Sequence, residues 1–164
     1  MIAIKATEMN LLRSSIEAAL EARFKGRPGT LWEAMAYSTL GGGKRIRALL
    51  VLASCEAVGG SASRAMPAAC ALEMVHAFSL VHDDLPALDN SPERRNRPSC
   101  HIAYGDGIAV ITGDALLALA FEAIAELGDT RLVAELAQAT GPEDRKSTRL
   151  NSSHSAKSRM PSSA

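Results

Sequence analysis

The segment Ser79–Asn90, with the sequence SLVHDDLPALDN, places three carboxylates where an apolar stretch ends. Asp83 and Asp84 are adjacent, and Asp89 stands six positions after Asp83. Pro86 predicts that the preceding helix ends near Asp84, so two carboxylates lie at the negative end of a helix dipole. Like-charge repulsion and the dipole both disfavour ionisation there, and a divalent cation would reverse that balance. Hard carboxylate oxygens favour Mg²⁺.

Two basic clusters flank this acidic triplet. They are Lys44, Arg45 and Arg47 in GGGKRIR, and Arg94, Arg95 and Arg97 in ERRNRP. Arginine forks match phosphate oxygens in pairs, and a helix N-terminus offers backbone N–H groups to an anion. The combination favours a metal-bridged diphosphate site, whereas the triplet taken alone is typical of a solvated helix-to-loop junction. His76, seven residues before Asp83, shares its helix face at a distance of about 10 Å along the axis.

Two other phosphate-handling classes fit less well. A nucleotide-binding loop needs a glycine where Ser38 stands and Ser or Thr where Arg45 stands. The pair His82-Asp83 resembles the core of an HD-type metal-dependent phosphohydrolase, but that class needs further histidines, and only His76 and His101 are at hand.

Length and composition allow one folded domain, since 47% of the 164 residues are hydrophobic. The three cysteines are odd in number and lack metal-like spacing, which indicates a reducing, cytoplasmic compartment. No apolar run reaches the roughly 18 residues of a membrane span, so a soluble protein without a membrane span is expected. Before Glu143 the chain carries 13 Lys and Arg against 16 Asp and Glu, which excludes a basic nucleic-acid surface.

Apolar residues recur at helical spacing, as at Leu12, Ile16 and Leu20, and period-two alternation is not evident, so the sequence predicts an all-α fold. The first of the predicted helices opens at a Thr30–Glu33 capping box, and the second runs from about Arg45 to Val58. A third starts after Pro67 and leads into the acidic segment. Two more run from about Ile108 to Leu127 and from about Thr130 to Ala139. A loop is expected between Pro92 and Pro98.

Four segments in a consistent order carry a resemblance: GGGKRIRALLVLA, EMVHAFSLVHDDLPALDN, ERRNRPSCH and ITGDALL. Together they closely resemble the trans-isoprenyl diphosphate synthases, or polyprenyl synthetases, with the bacterial farnesyl diphosphate synthases as the nearest type. The resemblance covers residues from about 8 to 141. It implies the N-terminal half of an isoprenoid synthase helical bundle around a central cavity.

The resemblance also implies a chemistry. In this family Mg²⁺ holds an allylic diphosphate, here dimethylallyl or geranyl, which ionises to a carbocation. The alkene of isopentenyl diphosphate attacks that cation and a proton is lost, which here would give farnesyl diphosphate. Metal and arginine stabilise the departing diphosphate, so catalysis is electrostatic. A homodimer is expected at full length.

Residue roles follow from the same resemblance. The implied Mg²⁺ ligands are Asp83 and Asp89, with Asp84 supporting; the implied isopentenyl diphosphate contacts are Lys44, Arg47, His76 and Arg95; and Arg94 resembles a contact to the allylic diphosphate. Phe78, five residues before Asp83, resembles the aromatic residue associated with stopping at fifteen carbons. An ideal helix places Phe78 about 140° from Asp83, so a buried structural phenylalanine is the alternative.

The sequence also departs from the family. Ala48 stands where a proline is usual, and Ser91-Pro92 replaces an acidic pair. Residues 1–142 are interpreted as the N-terminal part of a prenyl synthase domain, and a second aspartate-rich motif has no counterpart in the sequence. The chain as written is therefore expected to be inactive, with apolar surface exposed to water. A non-catalytic partner-binding subunit is the alternative, and the intact acidic and basic motifs disfavour it.

Residues 143–164 carry seven serines and hardly a hydrophobic residue, a composition typical of disorder. Within them DRKSTRLNSSH, Asp144 to His154, looks like the translation of a sequencing adapter, so a non-native tail is expected. Resequencing the genomic locus should show a different continuation past codon 141, with a second DDxxD-type motif downstream. A native DRKSTRLNSSH at that place would contradict the prediction.

Overall fold

The computed structural model describes residues 6–141, so the expected tail at 143–164 lies outside the described residues. Seven helices and one short hairpin follow in chain order. They are α1 Ala6–Phe24, α2 Thr30–Leu40, α3 Ile46–Ala57, α4 Ala62–Asp83, β1 Glu93–Arg94, β2 Arg97–Pro98, α5 Cys100–Tyr104, α6 Asp106–Ala125 and α7 Thr130–Ala139. The all-α prediction is confirmed.

The long helix α4 lies at the centre of the first compact unit, which ends at Gly128. It packs against α6 and α3, while α2 packs against α6 and α1. Fully buried apolar side chains fill these contacts: Ile16, Leu20, Leu52, Met74 and Leu116. Helix α7 belongs to a second unit that begins at Asp129, whose carboxylate caps α7 by accepting from the Arg131 N–H at 3.0 Å. The predicted domain boundary at residue 142 stays a prediction.

One predicted helix cap and one predicted helix start were wrong. Thr30 is the first residue of α2 and not its N-cap; the N-cap is Gly29, at φ 115°, and no side chain caps the helix. Helix α4 begins at Ala62 and contains Pro67, where the sequence suggested a start after the proline. Proline removes one helical hydrogen bond, but burial on the following turns outweighs that cost because tertiary packing overrides local propensity.

A buried arginine joins four helices of this unit. Arg45, the N-cap of α3, adopts a left-handed φ of 50° and has a side chain only 2% exposed. Its guanidinium donates to both oxygens of Glu17 on α1 at 2.7 and 2.9 Å, to the Thr39 carbonyl on α2 at 2.9 Å, and to Glu73 on α4 at 3.2 Å. Burial opposes the charge, yet the hydrogen bonds to Glu17 and then Glu73 outweigh it and raise the pKa of Arg45.

Glu73 completes this arrangement from the other side. Its second oxygen accepts the backbone N–H of Ala48, in the first turn of α3, at 3.3 Å. A carboxylate at a helix N-terminus satisfies an otherwise unpaired N–H and is stabilised by the helix dipole. Ala48 stands where a proline was expected, and a proline has no N–H to donate.

Two helices, α4 and α6, are long and apolar enough to cross a membrane by length and composition. They pack against each other, and 50% and 44% of their apolar windows are buried within the protein. A core helix of a soluble protein has the same composition, so the expectation of no membrane span stays a prediction.

Replacing Glu73 should destabilise the fold. We expect Glu73→Gln to lower the free energy of unfolding by about 3 to 5 kcal/mol, since it leaves a buried guanidinium without one of its carboxylates. Urea unfolding followed by circular dichroism measures the change. Glu56→Gln, at an exposed position in the last turn of α3, is the matched control and should shift the midpoint little. Equal midpoints for both variants would contradict the assigned role.

Candidate diphosphate and metal site

The acidic segment folds back over the end of α4. The helix ends at Asp83, as predicted, and the backbone N–H of Asp89 donates to the Asp83 carbonyl at 3.0 Å. Ser91 N–H likewise donates to the Asp84 carbonyl at 3.2 Å. These bonds satisfy carbonyls that a helix end leaves unpaired. They also bring the backbone of Asp89 close to that of Asp83, which the spacing in sequence alone did not predict.

Asp84 and Arg94 form a bidentate ion pair. Arg94 donates from Nε and Nη2 to the two carboxylate oxygens of Asp84, both at 2.6 Å, and the Asp84 side chain is 2% exposed. The hydrogen bonds that Arg94 donates to Asp84 raise the pKa of Arg94, and the charges of Asp84, Asp83 and Asp89 add to this effect. All three carboxylates therefore interact with the same guanidinium, and Asp84 orients it.

A two-residue hairpin delivers the second basic cluster. Strands β1 and β2 pair antiparallel, with Arg94 opposite Arg97. The turn residues Arg95 and Asn96 have φ values of 55° and 60°. Two-residue turns of this kind need positive φ at both central positions, which is why Asn favours them and why an arginine there is strained. The sequence suggested a loop between Pro92 and Pro98 and did not predict the hairpin.

The glycine-rich loop receives Arg95. Its Nη1 donates to the Gly42 carbonyl, and a Cβ on Gly43 would lie 3.3 Å from the Arg95 guanidinium. Gly43 also has a φ of 141°, where side chains are rarely tolerated. Gly43 thus allows close approach of Arg95 from the hairpin, and this contact brings the two basic clusters together.

His76 lies among these arginines. Burial lowers its pKa from the ordinary 6.5, and the positive charges of Arg47, Arg95 and Arg94 lower it further, while Glu73 opposes them. The ring is half-buried on α4, one turn after Glu73. His76 is therefore held neutral at neutral pH and can donate a hydrogen bond to an anion without carrying charge itself.

The remaining predicted residues have distinct surroundings. Lys44 and Arg47 are exposed, the first in the glycine-rich loop and the second in the first turn of α3. Arg45, which the sequence grouped with them as a phosphate contact, is instead buried in the ion pairs with Glu17 and Glu73. Phe78 is 3% exposed, and its ring meets the His82 ring edge to face at 5.0 Å. Its role in product length stays a prediction.

A pocket opens between α2, α4, the hairpin and α5. Its apolar wall comes from Ala77, Leu80 and Val81 on α4, and its cationic rim from Arg94, Arg95 and Arg97. Arg97 stacks on the Tyr37 ring at 3.9 Å, and the Tyr37 hydroxyl donates to the Pro98 carbonyl at 2.8 Å. The arginines at the rim offer anion-binding groups beside these apolar side chains.

The donor set at the end of α4 fits Mg²⁺ in part. Within residues 6–141, no three His, Cys, Asp or Glu side chains converge into a complete metal site. Asp84 binds Arg94, and Asp83 and Asp89 are the carboxylates that the family resemblance assigns to the ion. Mg²⁺ is commonly bound by one or two carboxylates, with waters and substrate phosphates completing its octahedron.

Some supporting residues were not predicted. Glu17 and Glu73 orient the glycine-rich loop through Arg45. The sequence does indicate that Glu73 belongs to the site, because Glu73 stands three residues before His76 and this spacing places both on adjacent turns of one helix face. The contact of Glu17 with Arg45 joins positions 28 residues apart, and local patterns do not show such pairs.

An all-α bundle with carboxylates at one helix end and a converging set of arginines beside them belongs to the class of isoprenoid synthase helical bundles. The chain matches the sequence profile of the polyprenyl synthetase family over residues 28–143. It belongs to that family.

Relatives of known name agree with this assignment. The chain is 46% identical over 146 residues to the heterodimeric geranylgeranyl pyrophosphate synthase large subunit 1 of Arabidopsis thaliana, covering 84% of this chain and 38% of that protein. It is 55% identical over 101 residues to the geranylgeranyl diphosphate synthase of Cyanophora paradoxa, covering 62% and 34%. The crystal structure of a geranyltranstransferase from Thermotoga maritima superposes with a TM-score of 0.77 at 39% identity, covering 80% of this chain and 50% of that one.

These comparisons bear on two expectations. The chain spans less than two fifths of the length of these curated relatives and half of the solved structure, which agrees with the expected N-terminal half of an isoprenoid synthase bundle. The farnesyl type suggested by the motifs is not confirmed, because both curated relatives are named for geranylgeranyl diphosphate.

The lowered pKa of His76 predicts a pH dependence of stability. The folded protein binds the imidazole proton of His76 more weakly than the unfolded chain does. The contribution of His76 to the free energy of unfolding is therefore intact above pH 6.5 and is lost as the pH falls from there towards the folded-state pKa. Urea unfolding above and below pH 6.5 should show a smaller loss for His76→Gln than for the unmodified protein.

Arg47→Gln serves as the companion variant. It removes the second cause of the shift, so the pKa of His76, followed by NMR titration of its ring, should rise towards 6.5. An unchanged titration in Arg47→Gln would show that the arginine does not act on His76.

Proposed function

We propose that the complete protein is a short-chain prenyltransferase, which condenses an allylic diphosphate, dimethylallyl or geranyl, with isopentenyl diphosphate. The observation that carries the proposal is the two-bond ion pair of Arg94 with Asp84, which joins the arginine-bearing hairpin to the acidic segment. Carboxylates suited to a cation and arginines suited to a diphosphate therefore lie side by side. Family membership supports the same reaction class.

Each side of the site has its own substrate in this proposal. Arg47, Arg95 and Lys44 bind the diphosphate of isopentenyl diphosphate, with neutral His76 donating a hydrogen bond to it. Arg94 binds the allylic diphosphate, and Asp83 and Asp89 hold Mg²⁺, which when bound neutralises the departing diphosphate. The arginines hold their positions before substrate arrives, because Asp84 and Gly42 already orient Arg94 and Arg95.

The reaction forms one carbon–carbon bond. The bond between the allylic carbon and the diphosphate oxygen breaks, and its electron pair leaves with the diphosphate. The alkene of isopentenyl diphosphate supplies the pair for the new bond, and a proton is then lost to restore an alkene. The apolar wall of Ala77, Leu80 and Val81 excludes water from the cation.

Farnesyl diphosphate is the product we propose, since Phe78 precedes the acidic motif by five residues. Its burial against His82 supports a rigid ring at that place. The names of the curated relatives make geranylgeranyl diphosphate the competing outcome. Cytoplasmic location and assembly as a homodimer complete the proposal, and the 164-residue chain by itself is inactive, because its sequence carries a single acidic motif.

The test uses the protein expressed from the complete reading frame. With Mg²⁺, labelled isopentenyl diphosphate and geranyl diphosphate, we expect labelled farnesyl diphosphate, identified by chromatography after dephosphorylation. Asp83→Asn and Asp89→Asn should each lower kcat by about 100-fold or more, because they remove stabilisation of the departing charge.

Glu122→Gln, which removes an exposed carboxylate on α6, is the control and should keep full activity. Absence of any prenyl product would refute the proposed function, and a twenty-carbon product would refute the proposed chain length alone. Product formed by the 164-residue chain would refute its inactivity.

A further inference from the structure

His82, directly before the acidic motif, is fixed on α6 by two contacts. Its Nε2 lies 3.0 Å from the carbonyl of Val110 and 3.8 Å from the carboxylate of Asp114. A carbonyl only accepts, so Nε2 carries the proton and donates to Val110. The Asp114 oxygen is too far for a hydrogen bond, and its side chain is 69% exposed.

Gly113 makes room for this ring. A Cβ built on Gly113 would overlap the imidazole of His82, so only glycine allows α4 and α6 to approach this closely. The Phe78 ring, on the same helix, packs edge to face against the His82 ring. His82 thus fills a notch in α6 and also contacts the residue proposed to set product length.

Helix geometry links this anchor to Asp83. Successive residues of a helix point about 100° apart, and the two neighbours of Asp83 are both held. His82 is held by α6, while Asp84 is held by Arg94 of the hairpin at 2.6 Å. The last turn of a helix otherwise frays, because its carbonyls lack intrahelical partners. The backbone that carries Asp83 is therefore fixed from two directions.

We propose that His82 is a positioning residue for the acidic site, a role that rests on the proposed function for its catalytic consequence. By donating to Val110 and filling the notch at Gly113, it fixes the last turn of α4, and so the carboxylate of Asp83 relative to that of Asp89. His82 acts through Asp83 and touches neither substrate nor metal. Its loss weakens cation binding without unfolding the core.

The test measures cation binding separately from turnover. In the complete protein with inorganic pyrophosphate present, electron paramagnetic resonance of free Mn²⁺ gives the metal affinity. His82→Leu should weaken Mn²⁺ binding about 10-fold or more, as loss of an outer hydrogen bond does at other metal sites. His82→Gln, whose amide can still donate to Val110, should recover most of the affinity.

The notch is tested by a matched glycine pair on α6. Gly113→Ala forces the His82 ring away and should weaken Mn²⁺ binding as His82→Leu does, whereas Gly107→Ala meets nothing within 4 Å and should leave it unchanged. Steady-state kinetics of Gly113→Ala should show a lower kcat and a higher Mg²⁺ concentration needed for half-maximal activity. The KM for isopentenyl diphosphate should stay near that of the unmodified protein.

The outcomes separate this inference from the proposed function. If the unmodified protein makes no prenyl product but His82→Leu still weakens Mn²⁺ binding, the proposed function fails and the positioning role stands. Unchanged Mn²⁺ binding in His82→Leu overturns the role, as does equal loss in His82→Leu and His82→Gln. A protein that binds no Mn²⁺ with pyrophosphate also overturns it. Urea unfolding of each variant confirms that the folded state is being compared.

Discussion

The buried ion pairs of Arg45 with Glu73 and Glu17 are the interaction on which the site depends. Burying a guanidinium is costly, and its partners do little more than compensate for that cost. Their effect is geometric: α1, α2 and α4 are held at one point, and Glu73 fixes the start of α3 through the Ala48 N–H. The glycine-rich loop, which lies between α2 and α3, therefore has a defined path towards the hairpin.

The same principle organises the acidic side. Asp84 is buried and binds Arg94 in a fork, so the hairpin is tied to the end of α4 by charge as well as by packing. Arg95 then reaches the Gly42 carbonyl from a strained left-handed position. Strain of this kind persists where surrounding contacts over-determine the conformation. The acidic segment, the hairpin and the glycine-rich loop are separate in sequence but thus meet at one place. They do so because arginines of the hairpin bind partners on the other two segments.

Much of this arrangement could be predicted from the sequence. Periodic apolar residues gave the helices, Pro86 correctly indicated the end of α4, and the motif order indicated the family. The role of Arg45 could not be predicted. A lysine- and arginine-rich stretch at a helix start does not indicate which of its side chains is buried and which is exposed. The hairpin was also missed, since two-residue strands are too short for any alternation to be visible.

The charge balance at the end of α4 explains why the acidic motif takes the form DDLPALD. The charge of Asp84 is neutralised by Arg94, and the return of the loop places Asp89 beside Asp83 at the negative end of the helix dipole. Two carboxylates near that end repel each other and the helix carbonyls, so the energy of the pair falls most when a cation binds between them. The motif therefore places the carboxylate that orients Arg94 next to Asp83, one of the two proposed Mg²⁺ ligands, and the adjacency of Asp84 and Asp83 turns their side chains about 100° apart around the helix.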